Sequence, residues 1–520
     1  MRPPTPLLRL PVAALLAVLG GLAVFAAFPP ISFAPSAPVG VALLTAALWG
    51  SRARRGVGLG FASGVAFFIP LLSWMTVIGQ DAWVLLALWC GAWSMLIGLI
   101  TALGSRLPGA PVWIASGWVL AEALRGREPW GGFPWGSLSF SQADAALADW
   151  AAVAGTPVVT FVVALIGASL TAMAVALTAS RYRAALAFAL TLVAAVALPP
   201  LLGPLATPPA SAGEARIAVV QGGTPQTGMG AMDVRQAVLD NHIGQTLDLA
   251  SAIDSGEVAA PDFVLWPENS SDLDPFADPA VADAITATAR AVGVPILVGV
   301  VTTVPDNPSQ VWNAGIVWDP ERGPSAMYVK TRPVPFGEFI PFREQLAPIV
   351  GRFDRIPRDF AAGTTPGNLE IGGVAVGDVI CFEIAYGDVV EAVVDGGAQV
   401  ITVQTNNATY QGTAQPEQQL QIERMRATET GRTVLVAATS GISAVIAPDR
   451  VITHRIDEGD TGWLVVDVPL VEEPTWATAY GRAAEWVIVL FALVAIGWSL
   501  AARLARDRGR VDSPATSTSA

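Results

Sequence analysis

Val374-Ala375-Val376-Gly377-Asp378-Val379-Ile380-Cys381-Phe382-Glu383 is a β-branched run that ends on a cysteine and passes at once into an acid-flanked turn. Such a run suits a buried strand. Two other stretches end in a similar way. Leu265-Trp266-Pro267-Glu268-Asn269-Ser270 is an apolar strand that stops at a proline and presents a carboxylate. Tyr328-Val329-Lys330 presents an ammonium shortly before Pro335-Phe336-Gly337-Glu338. Singly, each has a bland reading: a loop Glu is solvated, a lone Lys pairs on the surface, and Cys is among the most often buried residue types. Jointly they supply what a cysteine nucleophile needs, namely a proton acceptor and a cation that holds the thiolate and a developing oxyanion.

The region around these stretches alternates strands with helices. Short β-branched or apolar runs fall at 215–220, 263–266, 295–302, 313–318, 326–331, 374–382, 399–405, 434–438, 443–447 and 462–468. Helical spacing of small or apolar residues occupies 232–253, 279–292, 385–395 and 414–430. The pattern predicts an α/β sandwich over residues 213–470, long enough for its own core.

Residue counts narrow the chemistry. Of the 30 Lys+Arg, Lys330 is the single lysine, so its survival asks for a reason that arginine could not meet. Only His242 and His454 exist, neither with a metal-ligand neighbour at the usual spacing, so a zinc site and a Ser-His-Asp triad are disfavoured. No metal, nucleotide or redox cofactor is implied. Cys90 lies in an apolar stretch and reads as packing, which leaves Cys381 as an unpaired thiol.

The rest of the chain is membrane-like. The full chain, sandwich included, is 52% hydrophobic and 14% charged, with a mean hydropathy of +0.51, too apolar for an ordinary soluble protein. Apolar stretches near 7–28, 57–79, 82–104, 150–179, 184–204 and 483–502, with shorter ones at 36–50 and 110–124, predict about eight spans. The domains expected are a transmembrane bundle over 1–206, the sandwich over 213–470, a last span over 483–504 and a disordered tail over 505–520. The first run, preceded by Arg2 and Arg9, could be a signal peptide, but no polar mature segment follows it and anchoring is the better reading. With the N-terminus inside, the inner segments hold twelve arginines (2, 9, 52, 54, 55, 106, 181, 183, 503, 506, 508 and 510) and the short outer loops only Arg125 and Arg127. The positive-inside rule therefore puts both termini in the cytoplasm and the sandwich outside it. The net charge of −13 disfavours nucleic acid as partner.

The order Glu268, Lys330, Cys381 resembles the nitrilase, or carbon-nitrogen hydrolase, superfamily, whose αββα sandwich carries a Glu, a Lys and a Cys at three strand ends. Its placement before a final span is similar to the apolipoprotein N-acyltransferase family, and several further motifs match. These are Gly132-Phe133-Pro134-Trp135 with Phe140-Ser141-Gln142, Gln221-Gly222 with Pro225-Gln226, Pro335-Phe336-Gly337-Glu338, and Arg424-Met425-Arg426-Ala427 with Gly431-Arg432. The chain departs from the family at Phe382, where Tyr is common, at Gly228-Met229-Gly230, and at Asn407-Ala408-Thr409-Tyr410.

The resemblance implies a bacterial inner-membrane enzyme that moves an acyl chain from a phospholipid to the α-amino group of a diacylated apolipoprotein through a cysteine thioester. In that reading Glu268, Lys330 and Cys381 are catalytic. Glu338 orients Lys330 or assists the base, a backbone N–H near Phe382 completes the oxyanion site, and Glu383 supports the cysteine loop. Phe339, Ile340, Phe342, Leu346 and Ile349, interspersed with Arg343, Arg352 and Arg355, suit an arm at a lipid interface. The alternatives are a membrane-tethered amidase of the same superfamily acting on a small amide or nitrile, and a transporter or scaffold. The scarcity of ionisable residues in the spans, Glu122 among the few, argues against a transporter.

Overall fold

The computed structural model describes residues 6–210, 212–233 and 235–511. The N-terminal part is a bundle of apolar helices: α1 (Leu10–Phe25), α2 (Ser36–Leu48), α3 (Ala53–Leu71), α4 (Gln80–Gly104), α5 (Ala110–Arg125), α6 (Trp150–Ala154), α7 (Thr156–Thr178), α8 (Tyr182–Ala197) and α9 (Pro199–Ala206). The stretches expected to span a membrane are largely helical, although that at 57–79 leaves the α-helix at Leu71 and that at 150–179 is broken at Gly155. Among the described residues, four segments are long and apolar enough to cross a bilayer: Gln80–Gly104, Thr156–Thr178, Tyr182–Ala206 and Trp476–Ala502. Leu10–Phe25 and Ser36–Leu48 are apolar but shorter.

The following region has strands β1 (Glu214–Gln221), β2 (Phe263–Leu265), β3 (Ile296–Val304), β4 (Asn307–Asp319), β5 (Gly323–Val329), β6 (Asp359–Phe360), β7 (Asn368–Ile371), β8 (Val374–Ile380), β9 (Val400–Thr405), β10 (Val434–Ala438), β11 (Ser443–Ile446), β12 (Ile452–Ile456) and β13 (Gly462–Pro469). One sheet runs β13-β1-β2-β3-β4-β5, with β6 beside β4, and the other runs β12-β11-β10-β9-β8-β7. Helices α10 (Arg235–Asp254) and α11 (Pro279–Val292) cover the first sheet, α12 (Arg343–Leu346) lies in the connection to the second, and α13 (Gly387–Asp395) and α14 (Gln415–Thr430) cover the second. The final helix α15 (Trp476–Val511) passes the point at 505 where a disordered tail was expected, and residues 512–520 of that tail lie outside the described residues.

Alternation along the strands builds the layers, because successive side chains face opposite ways. Ile217 and Val219 of β1 and Val376 and Ile380 of β8 meet between the sheets, whereas Ala218 and Val220 pack under the first pair of helices and Val379 under the second. The result is an αββα sandwich. β6, β7 and β12 go beyond the strands expected from the sequence, and the run expected to continue to residue 382 stops at Ile380, because Cys381 turns out of extended backbone.

Candidate active site

β2, β5 and β8 end at the same edge of the sandwich, and the three expected residues converge there. Cys381 adopts a φ of 55°, a left-handed conformation that costs a non-glycine residue about 1 kcal/mol and that survives only where neighbours enforce it. Glu383 is the enforcer. Its buried carboxylate accepts from the Ile380 amide (2.9 Å), the Thr331 amide and hydroxyl (2.8 Å each), the Arg332 amide (2.9 Å) and the Tyr328 hydroxyl (2.8 Å). One side chain thus ties the cysteine turn to the chain immediately after Lys330. Burial raises the Glu383 carboxyl above its ordinary value, and Lys330 and the donors oppose that rise.

Lys330 is only 2% exposed, and its ammonium donates to Glu268 Oε1 at 3.1 Å and to Glu338 Oε1 at 2.9 Å. Asn313 Nδ2 donates to the same two oxygens at 2.7 and 2.8 Å, so ammonium and amide together lock both carboxylates in place. Outside this four-group ring, the Asn406 amide donates to Glu268 Oε2 at 2.9 Å and the Val334 amide to Glu338 Oε2 at 2.7 Å. Burial works against the charge on Lys330, but Glu268 and Glu338 outweigh it and hold its pKa well above the usual lysine value. It stays an ammonium with one proton uncommitted to either carboxylate.

The thiol of Cys381 accepts from the Thr405 hydroxyl at 3.3 Å. Burial, then the negative charge of Glu268, push its pKa up to about 12, against the pull of Lys330 and Thr405. At neutral pH the sulfur therefore keeps its proton, and an attack needs a base that removes it as the bond forms.

Phe382 points away from the triad and into the bundle. Its ring stacks on Trp135 at 5.5 Å and on Phe133 at 5.3 Å, and Tyr386 donates to the Gly132 carbonyl at 2.9 Å. Trp135 and Trp74 both donate to Gln418 Oε1 of α14, at 2.7 and 3.1 Å, while Gln418 Nε2 donates to the Pro29 and Leu71 carbonyls. Arg426 holds the cysteine turn from behind through the Ile384 and Ala385 carbonyls, at 2.9 and 2.8 Å. The Gly132–Trp135 and Arg424–Ala427 motifs are therefore the seam between bundle and sandwich. Gln221 closes a different gap: it accepts from Ser443 and donates to the Gly441, Asp457 and Asp460 carbonyls.

The segment expected to form an arm divides. Ile340 is core, 3% exposed, whereas Phe342 and Ile349 are 66% and 79% exposed. Arg352 pairs with Asp81 at the head of α4, and Trp130 meets Phe336 and Phe342 edge-on. Asn313 was not anticipated from the sequence, although a polar residue opening a buried β-branched run was there to be noticed.

Two family descriptions match the chain: the apolipoprotein N-acyltransferase N-terminal domain over residues 20–169, and carbon-nitrogen hydrolase over residues 216–478. Apolipoprotein N-acyltransferase of Mycolicibacterium smegmatis is 36% identical over 498 residues, covering 91% of this chain and 83% of that one. The protein of the same name from Azotobacter vinelandii is 29% identical over 532 residues, covering 94% and 95%. Among solved structures, an amidase of the nitrilase superfamily from Nesterenkonia aligns with 54% of this chain at 21% identity and a TM-score of 0.38, a likeness too low to bear on function. With both halves matched and a relative this similar along nearly its whole length, the chain belongs to the apolipoprotein N-acyltransferase family.

Proposed function

We propose that this protein transfers an acyl chain from a membrane phospholipid to the α-amino group of the S-diacylglyceryl-cysteine that begins a lipoprotein, by two half-reactions at Cys381. In the first, Glu268 takes the thiol proton while sulfur attacks the ester carbonyl. The uncommitted proton of Lys330, with a backbone N–H near Phe382, stabilises the tetrahedral oxyanion. Collapse expels the glycerol oxygen, which takes the proton back from Glu268, leaving a thioester and a lysophospholipid. In the second, the lipoprotein amine attacks the thioester, Glu268 accepts its proton and passes it to the departing sulfur, and the Cys381 thiol is restored with the base deprotonated again. Glu338 keeps Lys330 aimed, and Glu383 keeps the cysteine turn in its strained conformation.

The observation that carries this reading is the single cluster of Glu268, Lys330 and Cys381, with Phe382 anchored in the apolar bundle on its other side. A nucleophile built against the bundle suits a donor and an acceptor that are both held in lipid. Phe342, exposed beside Trp130, and the exposed Ile349 suit contact with acyl chains. The proposed topology is eight spans in a bacterial inner membrane, with bundle 1–206, sandwich 213–470 and last span 483–504, both termini cytoplasmic and the sandwich on the other face. Purified enzyme given phospholipid and a diacylated lipopeptide should yield the N-acylated peptide. Release of free fatty acid without peptide product would instead mark a hydrolase.

A further inference from the structure

Between the two sheets, on the strands that lead to the active site, lies a polar pair in a largely apolar layer. Asp378 of β8 falls on the inward face between Val376 and Ile380, and Gln404 of β9 shares the inward face with Val400. Both are fully buried. Asp378 Oδ1 accepts from the Thr402 hydroxyl at 2.9 Å, and Gln404 Nε2 donates to the Trp266 carbonyl at 2.6 Å, but Asp378 Oδ2 and Gln404 Oε1 have no partner among the described residues. The two orphaned oxygens converge. A Cβ added at Gly315, on the facing strand β4, would lie 2.4 Å from the first and 2.5 Å from the second, so only glycine leaves room for them.

Two buried acceptors that approach the same point need a donor between them, and protonation of Asp378 supplies one. We infer that Asp378 is a positioning residue that acts as a carboxylic acid: its Oδ2–H donates to Gln404 Oε1, and Gln404 passes the constraint on to the Trp266 carbonyl. The strut crosses from the sheet that carries Cys381 to the sheet that carries Glu268. Asp378 lies three residues before Cys381, Gln404 adjoins Thr405 and nearly adjoins Asn406, which touch the thiol and Glu268, and Trp266 lies two residues before Glu268. Its length sets the distance between nucleophile and base. Burial raises the Asp378 pKa to about 8, assisted by Glu383 beyond the end of β8 and Glu268 beyond the end of β2, and the neutral phenol of Tyr328 on β5 adds no compensating charge. The acid form is thus the one present at neutral pH.

The inference rests on Glu268 and Cys381 acting as base and nucleophile, and its test separates the two. Thioester formation from phospholipid is followed from pH 6 to 10 in the full-length enzyme. Asp378→Leu and Gln404→Leu should each lower the rate at least tenfold with the phospholipid KM unchanged. Asp378→Asn keeps a donor toward Gln404 and an acceptor for Thr402, so it should retain the wild-type rate at pH 7. It should also stay active above pH 8, where wild type loses activity as Asp378 ionises. Asp378→Leu within twofold of wild type, or parallel pH profiles for wild type and Asp378→Asn, would overturn the strut; if the leucine variants do not fold, the profile comparison decides alone. Glu268→Gln run in parallel shows whether the base assignment fails independently.

Discussion

Replacing Lys330 by Arg keeps the positive charge and separates a charge role from a geometric one. In the structure the ammonium occupies a site 2% exposed, with Glu268 Oε1 at 3.1 Å, Glu338 Oε1 at 2.9 Å and Asn313 bound to the same two oxygens. A guanidinium is wide and planar, and its donors form a rigid fork. It can pair with one carboxylate edge, but not bridge two oxygens and still aim a proton at a third point. The loss expected is that of one oxyanion donor, about 100-fold in the acylation rate or about 2.7 kcal/mol. The assay is single-turnover thioester formation by variant enzyme whose thermal unfolding midpoint matches wild type. A rate within about threefold of wild type, under about 1 kcal/mol, would refute a geometric role for the lysine.

Other expectations follow from the same contacts. Glu383→Gln places an amide N–H₂ against backbone and hydroxyl donors that now bond a carboxylate, so it should destabilise the protein by about 1–3 kcal/mol, read by denaturant or thermal unfolding; an unchanged midpoint would remove Glu383 as the anchor of the cysteine turn. The Cys381 pKa of about 12 predicts that alkylation by iodoacetamide accelerates steadily up to pH 10 without a plateau, since the thiolate fraction keeps growing below that pKa; a plateau near pH 7 would mean a preformed thiolate. Asp378 binds a proton when folded up to about pH 8, whereas the unfolded chain loses it near pH 4. Its contribution to stability therefore declines as pH rises from about 4 to 8, and the fall in unfolding free energy across that range should be shallower in Asp378→Asn than in wild type. A cysteine placed near residue 240 should react with membrane-impermeant maleimide in intact cells and one at residue 53 should not; the reverse pattern would invert the proposed topology.

Much of this architecture was legible because it follows from periodicity. Apolar runs marked the helices, and β-branched runs that end on Glu268, Lys330 and Cys381 marked the strands that bring those residues together. What stayed hidden lacked such a signal or needed the third dimension. β12 reads Ile452-Thr453-His454-Arg455-Ile456, polar and largely exposed at a sheet edge, so no apolar alternation betrayed it. β7 did carry a sign, since Gly372-Gly373, both at positive φ, is the tight turn of its hairpin with β8. Asn313 sits 45 residues from Glu268 and 25 from Glu338, a meeting that only the pairing of β3, β4 and β5 creates. The departure at Phe382 becomes intelligible in the same way: its ring packs flat on Trp135 and edge-on to Tyr386, contacts that an aromatic ring makes without a hydroxyl.

The central claim is that Cys381 carries the acyl group between donor and acceptor. Enzyme incubated with phospholipid alone, then digested and examined by mass spectrometry, should gain the mass of one acyl chain on the peptide that contains Cys381. That mass should disappear when a diacylated lipopeptide is added, and Cys381→Ser should never acquire it. An acyl group on any other residue, or N-acylated peptide formed by Cys381→Ser at the wild-type rate, would contradict the account.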